Sequence, residues 1–237
     1  MAPKSTPRAP RDAATFRRRL LAWFRRHGRD LPWRNTRNPY HVLVSEVMLQ
    51  QTQVSRVEGY YGKFLREFPD VSTLARATPG RVREAWDGLG YYRRAANLHR
   101  LAREVVASPS GAIPADVEAL RRLPGVGRYT AGAVSSFAFE RAVPAVDTNV
   151  ARVLRRAFHP RVGKDARSAR RLWDTAAAIL PRDGGRAWSF NQAIMELGAL
   201  VCTARVARCA ICPVAAVCKT GRREDGRTGG RERASPE

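Results

Sequence analysis

EALRRLPGVGRYTAGAVSSFAF, residues 118–139, decides the fold. Two helical patterns meet in it across Leu123-Pro124-Gly125-Val126-Gly127. Pro124 ends the first helix, because proline brings no N–H and its ring collides with the preceding turn. The glycines permit a turn too tight for side chains. The second helix then opens with backbone N–H groups that have no partner inside it, and at Gly125 and Gly127 no side chain keeps a phosphate away from them. Gly125, Val126 and Gly127 are therefore read as a sequence-independent grip on a DNA backbone. An ordinary helix–helix connection is the competing reading; the small residues that follow, Ala131, Gly132 and Ala133, favour the hairpin over it.

Outward from this hairpin the chain keeps a helical period. Apolar residues recur at Phe16, Leu20, Trp23 and Phe24, at Leu98, Leu101, Ala102 and Val105, and at Leu172, Ala176 and Ile179, the spacing of helices with one buried face. Turn and capping residues divide the pattern at Asn38-Pro39, Asp70, Thr78-Pro79, Gly88 to Gly90, Asp116, Asp147 and Pro181. No segment alternates like a strand, so an all-α protein of about ten short helices is expected. Residues 1–11, rich in Pro and Arg, and 219–237, almost without apolar side chains, read as disordered tails.

A chain of 237 residues, 44% of them hydrophobic, is ample for a buried core. It has no run of apolar residues long enough for a membrane span, and its basic start lacks the apolar stretch of a signal sequence; a cytoplasmic protein with no membrane partner is expected. The 43 Lys and Arg against 21 Asp and Glu give a net charge of +22 spread along the chain, a field that attracts polyanions. Arginine dominates, which suits bidentate phosphate contacts and equally reflects a GC-rich codon usage.

All four cysteines, Cys202, Cys209, Cys212 and Cys218, lie in one short stretch spaced Cys-x6-Cys-x2-Cys-x5-Cys. Thiolates so gathered converge on one metal centre. Two disulfides are disfavoured, because nothing points to an oxidising compartment. Structural zinc usually takes paired short knuckles, and only Cys209 and Cys212 form one, so the spacing favours an iron–sulfur cluster and leaves zinc open.

Two acids stand out. In NPYHVLVSEVMLQQTQV, residues 38–54, Glu46 is the only acid of a helix apolar on nearly every side. Such a helix is buried, and desolvation would raise the Glu46 pKa towards neutrality, making it a proton donor. A solvated glutamate on a surface helix is the alternative. Asp147 sits where an apolar segment turns into a helix; capping is its plain role, and the same backbone neighbours would suit an anion facing a developing cation. One protonated and one ionised carboxyl suit cleavage of a glycosidic bond.

Taken together, LPWR (31–34), SEVMLQQTQV (45–54), WDGLGYYRRAANLH (86–99), LPGVGRYTAG (123–132), VDTNVARVL (146–154), FNQAIMELGALVCT (190–203) and the four cysteines resemble the MutY-type adenine DNA glycosylases of the helix-hairpin-helix superfamily, over residues 12–218. The resemblance implies a helical barrel domain, 35–141, and a helical domain formed by 12–34 and 142–218, with the active site in the cleft between them. It implies a [4Fe-4S] cluster on the four cysteines, with a structural role, and phosphate contacts from Arg205 and Arg208. Glu46 would protonate N7 of a flipped-out adenine and Asp147 would stabilise the sugar cation. Tyr129 and Asn149 would support them. Where the related endonuclease III branch has a lysine that attacks the sugar, this chain has Tyr129, so a monofunctional enzyme is expected. Gln51 and Tyr91 would enter the duplex to fill the space left by the base, although core aromatics are the plain reading of Tyr91 and Tyr92. Arg34 and Gln192 would line the adenine pocket, with Trp33 as packing.

The expected partner is double-stranded DNA carrying an adenine mispaired with 8-oxoguanine or guanine, met by a monomer at a bacterial-type nucleoid. Two departures qualify this. The family usually has Asp-Gly-Asn where this chain has Asp147-Thr148-Asn149, which adds bulk beside the carboxylate. Full-length members also carry a C-terminal domain that inspects the opposite strand, whereas a polar tail follows Cys218, so discrimination for 8-oxoguanine is expected to weaken. A mismatch thymine or uracil glycosylase of the same superfamily, and a non-catalytic mismatch binder, are the competing readings.

Overall fold

The computed structural model describes residues 9–163 and 165–221; most of both expected tails lies outside them. The described chain contains eleven α-helices and no strand, only an isolated antiparallel bridge between Cys202 and Ala207. No helix among the described residues is long and apolar enough to cross a membrane.

The chain divides into two compact units, one drawn from Met1–Arg29 and Pro144–Glu237, the other from Asp30–Val143. The sequence reading set its boundaries at 34/35 and 141/142. The first unit holds α1 (Ala13–His27), α9 (Thr148–Phe158), α10 (Ala166–Ile179) and α11 (Gly184–Leu200). The second holds α2 (Pro39–Leu49), α3 (Val54–Glu67), α4 (Val71–Arg76), α5 (Pro79–Ala85), α6 (Arg93–Ala107), α7 (Val117–Arg122) and α8 (Arg128–Phe139).

Polar side chains start most of these helices. Asn38, Asp70, Thr78, Asp116, Asp147, Asp165 and Asp183 each accept a hydrogen bond from a backbone N–H of the first turn, each such cap being worth about 1 kcal/mol. In the first unit α11 packs on α1 and α9, and α10 on α9. Their shared core contains Phe16, Leu20, Leu154, Leu172, Ile179 and Phe190; the Phe16 and Phe158 rings lie 5.0 Å apart. Trp23 and Phe24, expected on the same stripe, are only partly buried against it. In the second unit α2 packs on α8, α3 and α6, while α4 and α5 both pack on α6. Trp86 and Phe64, both fully buried, meet edge to face there at 5.6 Å.

Candidate active site and metal centre

α2 is buried along its length because its sequence leaves no polar face. Pro39 opens it behind Asn38, whose side chain accepts from Tyr40 N at 2.9 Å and His41 N at 3.3 Å. Eight of its eleven residues are buried, Glu46 among them at 5% exposure. The carboxyl oxygen Oε2 is shielded from solvent. Ser45, its neighbour, turns its hydroxyl back onto Val42 O at 2.8 Å and so spends its polarity within the helix.

Gln51 and Tyr91 stand on two turns with left-handed backbone, φ 57° and 47°. Both are exposed, Tyr91 at 61%, which is not how a core aromatic sits. Its neighbour Tyr92 is half-buried, its hydroxyl bonded to Asp87 Oδ1 and its ring under the Arg83 guanidinium at 4.7 Å. Gly88 is required here: its φ is 87°, and a Cβ would collide with the Tyr60 hydroxyl. One residue missed by sequence reasoning, Arg94, lies buried between the two turns and bonds to both.

The α7–α8 hairpin turns at Gly125, the one of its two glycines that the backbone requires. Gly125 has φ 76°, and a Cβ on it would press to 2.9 Å of the Asn97 side chain; the space beside Gly127 is open. Val126 is buried between them and anchors the turn. Gly127 caps α8 and supplies no side-chain cap, unlike the seven helices with polar caps. Tyr129 is half-buried in that first turn. At the next residue, Gln50 Nε2 donates to the Thr130 hydroxyl at 3.4 Å, tying α8 to the residue that ends α2. Arg34 is half-buried in the short turn Pro32–Arg34; its carbonyl accepts from Arg37 at 3.4 Å. Trp33 is buried against Tyr61 at 5.5 Å, a packing position.

In the first unit Asp147 caps α9 and is half-buried. Oδ1 accepts from Val150 N at 2.7 Å, while Oδ2 accepts from the Asn149 amide at 2.8 Å. Asn149 is held in turn by Arg152, which donates to its Oδ1 at 2.7 Å and to the carbonyls of Gly198 and Cys202, both at 2.8 Å. A continuous set of hydrogen bonds thus joins the acid to the first cysteine. Gly198 lets α11 approach, because a Cβ there would lie 2.8 Å from Asn149 Cβ. Thr148, the departure from the family pattern, is exposed. Gln192 is buried on α11, and next to it Asn191 accepts from Ala145 N at 3.4 Å, steadying the segment that enters Asp147. Sequence reasoning missed Arg152 and Asn191, since the main-chain carbonyls and amides they bond carry no residue signature.

The four cysteines, all half-buried, line one pocket of about 420 Å³, counted with the solvent at its mouth. Arg156 donates to Cys202 Sγ at 3.3 Å and to Thr203 O at 2.7 Å. Gly221 N approaches Cys218 Sγ at 3.5 Å, and Lys219 N and Thr220 N bond back to Ala157 and Arg156 carbonyls at the end of α9. Burial, then the neighbouring Cys218 and Cys202 thiols, push the Cys212 thiol up to about 11. Bare thiolates are costly here, and a multi-charged cation would relieve that cost. Four cysteines lining one pocket are the donor set of a thiolate-bound metal centre.

The same arrangement of helices occurs in the structure of a thermostable thymine-DNA glycosylase, with a TM-score of 0.83 and 30% identity over 90% of this chain and 97% of that one. The fold is thus that of the helix-hairpin-helix DNA glycosylases. Residues 44–180 match the HhH-GPD superfamily of base excision DNA repair proteins, and the chain belongs to that superfamily. The chain is 48% identical over 196 residues to the adenine DNA glycosylase of Mycolicibacterium smegmatis, covering 82% of this chain and 66% of that protein. Similarity to the adenine DNA glycosylase of Rattus norvegicus is 45% over 224 residues, or 90% of this chain and 43% of the rat protein. The chain therefore spans between about two fifths and two thirds of the length of these curated relatives.

Proposed function

We propose that this chain is a monofunctional adenine DNA glycosylase, acting on adenine mispaired with 8-oxoguanine or guanine in double-stranded DNA. The observation that carries the reading is Glu46, a carboxylic acid 5% exposed in an otherwise apolar helix. Burial disfavours the bare anion and suits a proton donor. In the reading, Glu46 gives its proton to N7 of an adenine turned out of the stack. The electron pair of the C1′–N9 bond leaves with the base, and the sugar becomes an oxocarbenium-like cation. Asp147, oriented by Asn149 and Val150 N, faces that cation. Water adds at C1′ and yields its proton to the Glu46 carboxylate. Tyr129 has no amine for a Schiff base, so the strand is left uncut. Arg34 and Gln192 line the base pocket, Gln51 and Tyr91 fill the gap in the duplex, and the Gly125-Val126-Gly127 turn grips a phosphate.

Cys202, Cys209, Cys212 and Cys218 would hold a [4Fe-4S] cluster, which supplies a rigid cross-link when bound. The surrounding residues do the rest: Arg156 orients Cys202 and the loop after it, and exposed Arg205 and Arg208 offer cations to phosphate. Reconstitution with iron and sulfide should yield four irons per chain and visible absorption; stoichiometric zinc with no colour would replace this assignment.

Identity of 48% and 45% to adenine enzymes, against 30% to the thymine enzyme, supports adenine as the base. The thymine enzyme nevertheless matches over 97% of its length, which keeps mismatched thymine or uracil as the second reading. Single-turnover assays on A·8-oxoguanine, A·G, T·G and U·G duplexes decide between them. Adenine release is expected; release of thymine or uracil alone overturns the first reading, and tight binding without release from any duplex overturns both.

A further inference from the structure

Arg94 is a buried cation at the start of α6, 8% exposed. Its Nη1 lies within hydrogen-bond distance of the carbonyls of Val47 (3.1 Å), Met48 (2.7 Å) and Gln50 (2.5 Å). Its Nη2 reaches Thr52 Oγ1 (3.0 Å) and the carbonyls of Leu89 (3.2 Å) and Gly90 (3.1 Å). The bonds to Val47 and Met48 are an ordinary closing of the last turn of α2. The other four lie on two loops.

Those loops carry two of the three non-glycine residues with positive φ among the described residues, Gln51 and Tyr91. Left-handed backbone is unfavourable for both, because Cβ crowds the main chain, and it persists only where the surroundings impose it. The Gln50 carbonyl belongs to the peptide plane that enters Gln51, and the Gly90 carbonyl to the plane that enters Tyr91. Holding a peptide plane holds the φ of the residue it enters. One guanidinium grips both planes with charge-assisted bonds, and it also lies 5.4 Å from the centres of the Tyr91 and Trp86 rings. A lysine could not span these acceptors, since its ammonium is one point rather than a planar fork.

We infer that Arg94 is a positioning residue that sets Gln51 and Tyr91 as a single wedge, so that the two side chains enter a duplex as a pair rather than as independent probes. The inference rests on the base-flipping reading of the site. It differs from a role in stability, because it requires the contributions of Gln51 and Tyr91 to depend on Arg94.

The test uses duplexes with 2-aminopurine at the target position, whose fluorescence rises when the base leaves the stack, and protein at saturation. Gln51→Ala and Tyr91→Ala should each lower extrusion about tenfold, since each removes part of what offsets lost stacking. Arg94→Lys should lower it by about as much as both together, and adding either alanine to Arg94→Lys should cost less than about twofold more. Thr52→Val, which deletes one acceptor on a half-buried side chain, should retain full helicity and lower extrusion about threefold. Full multiplicative losses in the Arg94→Lys background, unchanged extrusion in folded Arg94→Lys, or alanine variants without effect overturn the inference. If Arg94→Lys does not fold, Thr52→Val decides alone, and unchanged extrusion in it overturns the inference. A wild-type chain that extrudes the base through the coupled pair but releases none from any duplex leaves this inference standing and removes the glycosylase reading.

Discussion

The two units hold their acids by opposite means. In the second unit Glu46 is surrounded by apolar helix and buried by packing on α8, α3 and α6. In the first, Asp147 is half-buried and gathered by polar neighbours: the Val150 N–H, the Asn149 amide and, behind it, Arg152. Burial by apolar packing withdraws a carboxyl from water, whereas hydrogen bonds from fixed donors set its orientation. The comparison teaches that one chain can hold the same functional group in two unlike surroundings, which in the proposed reaction would serve a proton donor and an electrostatic stabiliser, and that different kinds of mutation should expose each.

The largest effect should come from the buried acid. Glu46→Gln keeps the shape and removes the proton, so single-turnover excision should fall by about three orders of magnitude or more, with DNA affinity nearly intact by titration. Excision near the wild-type rate would break the assignment. Asp147→Asn is the matching change in the other unit. Asparagine still caps a helix, so the melting temperature should hardly move, but the charge is lost and excision should fall about a hundredfold. An equal loss in folding stability would mean that Asp147 is only a cap.

Gly198→Ala probes the polar support without touching the acid. Its Cβ would arrive 2.8 Å from Asn149 Cβ, and relief by moving α9 should cost about 1–3 kcal/mol of stability, read by denaturant titration, with excision reduced about tenfold as Asn149 shifts. Retained stability with full activity would show that the close approach is not needed. The smallest effect concerns pH. Burial, then the nearby Arg171 and Lys219 charges, hold the His159 pKa below 6.5, while its Nε2 pairs with Thr175 Oγ1 at 2.8 Å. The unfolded chain therefore binds the proton more readily, so stability present above pH 6.5 is lost as pH falls through the folded pKa. His159→Gln should flatten the fall in melting temperature between pH 7 and 5 by about two or three degrees; an unchanged slope would assign the acid sensitivity elsewhere.

Legibility in the sequence followed the same division. The hairpin was readable because Pro124 and Gly125 are residues its backbone needs, and Asn38, Asp70, Asp116 and Asp147 marked helix starts because they cap them. The burial of Glu46 was readable because a helix without a polar face has no other place to go. That the four cysteines gather was readable from their spacing, and they line one pocket. What was not readable is how the side chains are held. Arg94 lies more than forty residues beyond the Val47, Met48 and Gln50 carbonyls it bonds, and Arg152 is fifty residues from Cys202. The chain contains so many arginines that neither stood out.

The sequence by itself determined the helices, their order, the hairpin, the gathering of the four cysteines and the burial of Glu46, because each depends on local backbone preference or on residue type. Only the tertiary structure decided that Gln51 and Tyr91 take left-handed turns gripped by one guanidinium, and that Asp147 is joined to Cys202 through Asn149 and Arg152. The physical reason is that arginine bonds chiefly to main-chain carbonyls at these points. Every residue offers such a carbonyl, so the partner is chosen by where packing brings the chain and not by which side chain it bears.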